Sequence, residues 1–286
     1  MSSFAAADGT RLAFHCAGTG PLLVCQPGGP GRASAYLEDL GGLSAERTLV
    51  LLDPRATGRS EVPADPSTLR FDRLAEDVDA LREHLGQDRI DLLGHSAGAM
   101  VAQAYAAAHP DRIGSLVLVT PTDAVQRGSG ARADVPQLRA ARAGEPWYAD
   151  AVEAEAALRD APASQAQALQ RALRPFFYGR WDERTQAHAA TADRQMSRRA
   201  ELGFAAGADE LDLPALRAAL GRLESPVLVV GGERDGVTGL QAVHVVAGDF
   251  PRARTVVLPG AGHFPWVDEP TAFRTAVAGF LARSPA

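Results

Sequence analysis

Gly94-His95-Ser96-Ala97-Gly98 is the stretch from which the rest of this chain can be read. It has the pattern G-x-S-x-G. An apolar, strand-like run, Ile90-Asp91-Leu92-Leu93, leads into it, and a helix-like run from Met100 to Ala106 follows. Strand, one sharp turn and helix are the setting of a nucleophile elbow. Such a turn strains the serine backbone and leaves no room for a side chain at Gly94 or Gly98. It lifts the hydroxyl clear of the sheet. The following helix then points its first N–H groups at any negative charge developing beside it. Taken alone, the same letters also describe a glycine-rich turn with an idle serine, so the partners of Ser96 must be found elsewhere.

A serine hydroxyl is a weak nucleophile until a base takes its proton, and the base needs a third group to orient it. In a strand–turn–helix setting these partners follow in the order serine, acid, histidine, each in a loop after a strand. The β-branched run Pro226–Gly231 is followed by Gly232-Glu233-Arg234-Asp235-Gly236, and the run Arg254–Leu258 by Pro259-Gly260-Ala261-Gly262-His263-Phe264. Asp235 and His263 stand in that order, each just past a strand end. Of seven histidines, only His263 lies in a glycine-rich loop after a late strand. His95 is expected to point away from Ser96 by alternation, and His109, before Pro110, reads as a surface or capping residue. Glu233, and Asp123 after the strand Leu116–Thr120, remain competitors for the acid. A tetrahedral intermediate also needs preorganised N–H donors, each worth roughly 3 kcal/mol. One is expected from Ala97. The other is expected from the loop Pro27-Gly28-Gly29-Pro30-Gly31, where Gly29 is assigned, Gly28 competes, and Pro30 cannot donate.

These pieces resemble the α/β-hydrolase fold over essentially the whole length. They are Gly28-Gly29-Pro30-Gly31, Asp53-Pro54-Arg55-Ala56-Thr57-Gly58-Arg59-Ser60, the Ser96 elbow, Asp235 and Gly262-His263. The first two are most similar to the proline iminopeptidase branch. That branch usually has His-Gly-Gly-Pro-Gly, an Asp-x-Arg-Gly segment and an aromatic residue after the serine. Here Pro27, Ala56 and Ala97 stand at those places. The resemblance implies an α/β fold with a Ser96–His263–Asp235 triad, and it implies an aminopeptidase more weakly.

Composition sets outer bounds. The 286 residues suffice for one large domain or a core with an insertion. A formal charge of −6 with no basic stripe argues against a nucleic-acid partner. All basic residues are arginine, which excludes lysine Schiff-base chemistry. No targeting segment or membrane-spanning run is read, so a cytoplasmic protein is expected, with Cys16 and Cys25 as buried reduced thiols. No metal-ligand spacing or phosphate-binding glycine motif is found, so neither a metal nor another cofactor is expected.

Along the chain, Phe4–Ala7 and Arg11–Cys16 read as a hairpin. Leu22–Gln26, Thr48–Asp53, Arg89–Leu93 and Ser115–Thr120 read as further strands, and Phe71–Leu85 as an amphipathic helix with Leu74, Val78, Leu81 and Leu85 on one face. Such alternation predicts an α/β architecture, a mostly parallel doubly wound sheet with ligands at the carboxyl ends of its strands. From about Thr122 strand signals stop, and proline-punctuated helical stretches run to Glu224. This predicts a helical cap over 122–224, inserted after the sixth strand, on a core of 1–121 and 225–286. Its aromatics, Trp147, Phe177 and Trp181 among them, form either the cap's own core or a roof for an apolar substrate group. Asp53 and Arg55 read as one Asp–Arg network that ties down a loop. The expected activity is a serine hydrolase acting on a small-molecule or short-peptide ester, lactone, thioester or amide. An aminopeptidase, a C–C bond hydrolase or lyase on the same scaffold, and a non-hydrolytic binding protein remain open, as does the oligomeric state.

Overall fold

In the computed structural model, residues 2–125 and 130–283 are described. Met1 and 284–286 of the expected core, and 126–129 of the expected cap, lie outside them. Eight strands form one sheet: β1 (Ser2–Ala5), β2 (Arg11–Ala17), β3 (Leu22–Gln26), β4 (Thr48–Leu52), β5 (Ile90–His95), β6 (Ile113–Val119), β7 (Val227–Gly232) and β8 (Ala253–Leu258). Their spatial order is β1-β2-β4-β3-β5-β6-β7-β8. The β1–β2 and β2–β4 pairs are antiparallel and the rest are parallel.

Burial on both faces explains the near-continuous apolar runs of the central strands. Side chains alternate across the sheet. Val24, Val50, Leu52 and Leu92 join one core. Leu23, Cys25, Leu49, Leu51 and Leu93 join the other. On the first face pack α1 (Phe71–His84) and α2 (Gly98–Ala108), with Leu74, Val78 and Leu81 of α1 buried as their spacing predicts.

Between β6 and β7 the described residues form only helices: α3 (Val135–Ala140), α4 (Tyr148–Leu158), α5 (Ala163–Ala172), α6 (Glu183–Ala190), α7 (Ala192–Gln195), α8 (Arg198–Gly203), α9 (Leu213–Leu220) and short 3-10 turns. The chain then returns to the sheet with α10 (Gly239–Ala247), α11 (Pro265–Asp268) and α12 (Pro270–Leu281). No helix among the described residues is long and apolar enough to cross a membrane.

Two expectations need correction. Cys25 is buried, but Cys16 is exposed, because it stands near the end of β2, past Leu12 and Phe14, which fill the core on the same face. Asp53 and Arg55 do not pair. Asp53 accepts from the Ser34 N–H (2.9 Å), the Ser34 hydroxyl (2.7 Å) and the Arg59 N–H (3.1 Å). Arg55 instead grips Asp77 of α1 through Nε (2.7 Å) and Nη2 (2.6 Å), with a further bond to Asp8. The chain leaves the strand and turns at Arg55 and Ala56, which carries the two side chains into separate networks. Ala56, directly after Arg55, has φ 60°, a left-handed conformation that a glycine would adopt without strain.

Candidate active site

The elbow is built by exclusion. Ser96 has φ 53°, a costly conformation for a side-chain-bearing residue. A Cβ at Gly94 would stand 2.7 Å from the Gly98 carbonyl oxygen, and one at Gly98 would stand 2.5 Å from those of Gln26 and Pro27. Only glycine fits either place. The turn is pinned to the end of β6, where the Ser96 N–H donates to Val119 O at 2.9 Å and its carbonyl accepts from Thr122 N–H at 3.1 Å.

From Ser96 a chain of hydrogen bonds leads inward. Its Oγ lies 2.9 Å from His263 Nε2, and His263 Nδ1 lies 3.0 Å from Asp235 Oδ2. All three residues are buried. An ionised carboxylate can only accept, so Nδ1 carries the proton and Nε2 is left to accept from the serine hydroxyl. Burial opposes the charge of Asp235. Its contacts with His263, the Thr238 hydroxyl (2.6 Å) and the Val237 N–H (2.8 Å) outweigh that cost and hold the carboxyl below the usual range. The competing acids point elsewhere: Asp123 Oδ1 accepts from the Val125 N–H at 2.7 Å, and Glu233 from the Gly260 N–H at 2.9 Å.

The backbone of His263 is equally fixed. Its N–H donates to Phe177 O (2.7 Å), and its carbonyl accepts from the Thr120 hydroxyl (2.9 Å) and from His95 Nε2 (2.9 Å). Buried Asp268 braces the same loop by accepting the N–H groups of Gly262 (2.7 Å) and Gly179 (2.9 Å). His95 follows Leu93 onto the second face of the sheet, where its ring packs among Tyr36, Phe264 and Trp266 and lies 4.9 Å from that of His263. With its Nε2 proton given to a carbonyl, His95 Nδ1 accepts from the Tyr36 hydroxyl at 2.7 Å, and Tyr36 Oη in turn accepts the Gly28 N–H at 2.7 Å. Burial, with His263 beside it, pulls the His95 pKa well below the usual value and keeps it neutral.

That network also separates the two candidate donors of the glycine loop. The Gly28 N–H is taken by Tyr36. Among the described residues, the N–H groups of Gly29 and Ala97 have no acceptor. The loop packs directly on the elbow, since a Cβ at Gly28 would lie 2.9 Å from Ser96 Cβ and 3.1 Å from Ala97 N.

A cavity of about 320 Å³ opens over Ser96, Gly29 and His263, walled by Leu173, Phe177 and Phe264. The Phe177 ring lies 5.7 Å from that of His263 and stacks on Phe264. Trp147 and Trp181 do not line the cavity. Trp147 packs edge-on against Phe176 at 5.1 Å, and Trp181 against Tyr178 at 5.6 Å. The sequence reading passed over Arg32, Tyr36 and Asp268. Only Arg32 carried a local signal, its place directly after the glycine loop.

Comparison with known proteins agrees with this architecture. Residues 21–270 match the family model for the alpha/beta hydrolase fold. A proline iminopeptidase of Lactiplantibacillus plantarum is 28% identical over 281 residues, 91% of each chain. The match to a proline iminopeptidase of Heyndrickxia coagulans is 33% identical over 104 residues but spans only 36% of that protein. A hydrolase of Pseudomonas aeruginosa, solved by crystallography, superposes with a TM-score of 0.69 at 30% identity, covering 98% of this chain and 97% of its own. With its eight-stranded sheet and a match over most of its length, the chain belongs to the alpha/beta hydrolase family and is an enzyme of the hydrolase type.

Proposed function

We propose that this hydrolase works through a Ser96–His263–Asp235 triad and an acyl-enzyme, on a small-molecule ester, lactone, thioester or amide. The observation that carries the reading is the unbroken run of bonds from Ser96 Oγ through His263 to Asp235, buried beneath one cavity. Ser96 Oγ attacks the substrate carbonyl carbon while its proton passes to His263 Nε2. The resulting oxyanion accepts from the N–H groups of Ala97 and Gly29. His263 then hands the proton to the leaving group as the carbon–leaving-group bond breaks. Water attacks the acyl-enzyme, His263 takes its proton, and Ser96 Oγ recovers it as the acid departs. Asp235 holds the tautomer and stabilises the imidazolium throughout. In this reading 122–224 act as a cap, with Phe177 and Leu173 as the roof that excludes water.

An aminopeptidase is the second reading. It is favoured by the likeness to proline iminopeptidases and by the Gly28-Gly29-Pro30-Gly31 loop. Turnover of a panel of p-nitrophenyl acyl esters and aminoacyl-p-nitroanilides decides between them. Ser96→Ala is expected to lose activity by a factor of ~10⁴ or more while keeping its circular dichroism spectrum. A folded variant that retains more than about a tenth of the activity overturns the triad reading.

A further inference from the structure

We propose that Arg32 is an anion-recognition residue in the wall of this cavity, and that the substrate therefore bears a carboxylate in addition to its scissile bond. The proposal rests on the reading of the cavity as the hydrolytic site and names the class of molecule that fills it. Arg32 follows the glycine loop directly and lines the same cavity as Gly29 and Ser96. Its side chain is held rigidly. Nε donates to Gln195 Oε1 at 2.9 Å, Nη2 to the Thr191 hydroxyl at 2.9 Å, and the guanidinium lies 4.2 Å from the centre of the Tyr36 ring.

All these partners are neutral. Arg32 is only 5% exposed, yet no carboxylate among the described residues forms an ion pair with it, and its Nη1 has no acceptor there. Exposed Glu38 acts on it electrostatically without reaching it. The other charged residues of the wall are already matched. Arg174 pairs with Asp193, and Glu201 accepts from Arg198 at 2.8 Å.

Burying a guanidinium without an anion is unfavourable, and proteins seldom do it unless something supplies the missing charge. A planar guanidinium with a free N–H edge in a mostly apolar pocket suits a carboxylate, which could take a charge-assisted bond there. The same charge would repel an ammonium group, which separates this substrate class from one carrying a free N-terminal amine. The competing view is that Arg32 merely braces the glycine loop against α7.

Two measurements test the proposal. The first compares kcat/KM for matched esters: mono-p-nitrophenyl glutarate against p-nitrophenyl valerate, and the butyrate ester of 3-hydroxybenzoate against phenyl butyrate. In the wild-type protein at least one anionic ester should exceed its neutral twin by about tenfold or more. Arg32→Gln should abolish that preference, lowering kcat/KM for the anionic ester about tenfold more than for its neutral twin, and Arg32→Lys should keep part of it. The second measures hexanoate and hexanol binding by calorimetry, which needs no turnover. Wild type should bind hexanoate more tightly than hexanol, and Arg32→Gln should bind the two alike. Equal treatment of anionic and neutral esters by the wild-type protein, or a parallel fall on both with Arg32→Gln, overturns the proposal and leaves Arg32 as a brace. If turnover proved independent of Ser96, the triad would fail. A hexanoate preference lost in Arg32→Gln would still uphold the anion site, and its absence would overturn it.

Discussion

Among single residues, the choice of carboxylate behind His263 governs the chemistry proposed above. Asp235 stands 3.0 Å from Nδ1, whereas Asp123 spends Oδ1 on a turn N–H. Asp235→Asn should therefore lower kcat by roughly 10²–10⁴, because an amide can present a donor where the imidazole needs an acceptor. Asp123→Asn should stay near wild type. Steady-state kinetics of the two variants check this, and the reverse ranking would move the acid to the end of β6. Ser96, Asp235 and His263 were legible in the sequence because each follows a strand within a few residues, so local pattern suffices. Arg32, Tyr36 and Asp268 were not. Arg32 takes its place from Gln195, 163 positions along the chain, and Tyr36 from a histidine 59 positions away. No periodicity encodes such meetings.

Helices and strands differ in how much of their role can be read locally. The strands showed as β-branched runs and α1 as a 3.6-residue period, with differences confined to ends: β1 begins at Ser2, and β5 extends through His95. The helical segment between β6 and β7 was visible as a loss of strand signal. Its orientation was not, because short helices turn their aromatic groups wherever packing dictates. Phe177 faces the cavity, while Trp147 and Trp181 pack against Phe176 and Tyr178. Phe177→Ala should consequently change kcat/KM unequally across substrates, by about 1–3 kcal/mol of discrimination. Trp147→Ala should lower the melting temperature and affect all substrates alike. A Phe177→Ala variant with parallel losses on every substrate would place the specificity wall elsewhere.

For the molecule as a whole, the same buried network that fixes the site ties stability to pH. His188 joins the helical segment to the core, through Nε2 to Tyr36 O (2.9 Å) and Nδ1 to the Tyr178 hydroxyl (2.7 Å). Burial, with Arg32 and Arg184 adding to it, lowers its pKa from 6.5 to about 4. The unfolded chain then binds the proton more readily than the folded one. The stability that neutral His188 provides is complete above pH 6.5 and is lost as the pH falls toward 4, by about 3 kcal/mol. Asp268, raised to about 6 chiefly by burial, acts in the opposite sense, so wild type must be compared with a variant. His188→Gln should be less stable than wild type at pH 7.5, and the gap should narrow at pH 4.5, as read from urea unfolding. A gap independent of pH would mean that His188 is not held neutral by the fold. In the proposed reaction this buried network serves one nucleophile. A fluorophosphonate probe followed by peptide mass spectrometry tests this. A single adduct on Ser96, absent when Ser96 is alanine, is expected; an adduct on another residue, or none on an active preparation, would overturn the assignment of Ser96 as the nucleophile.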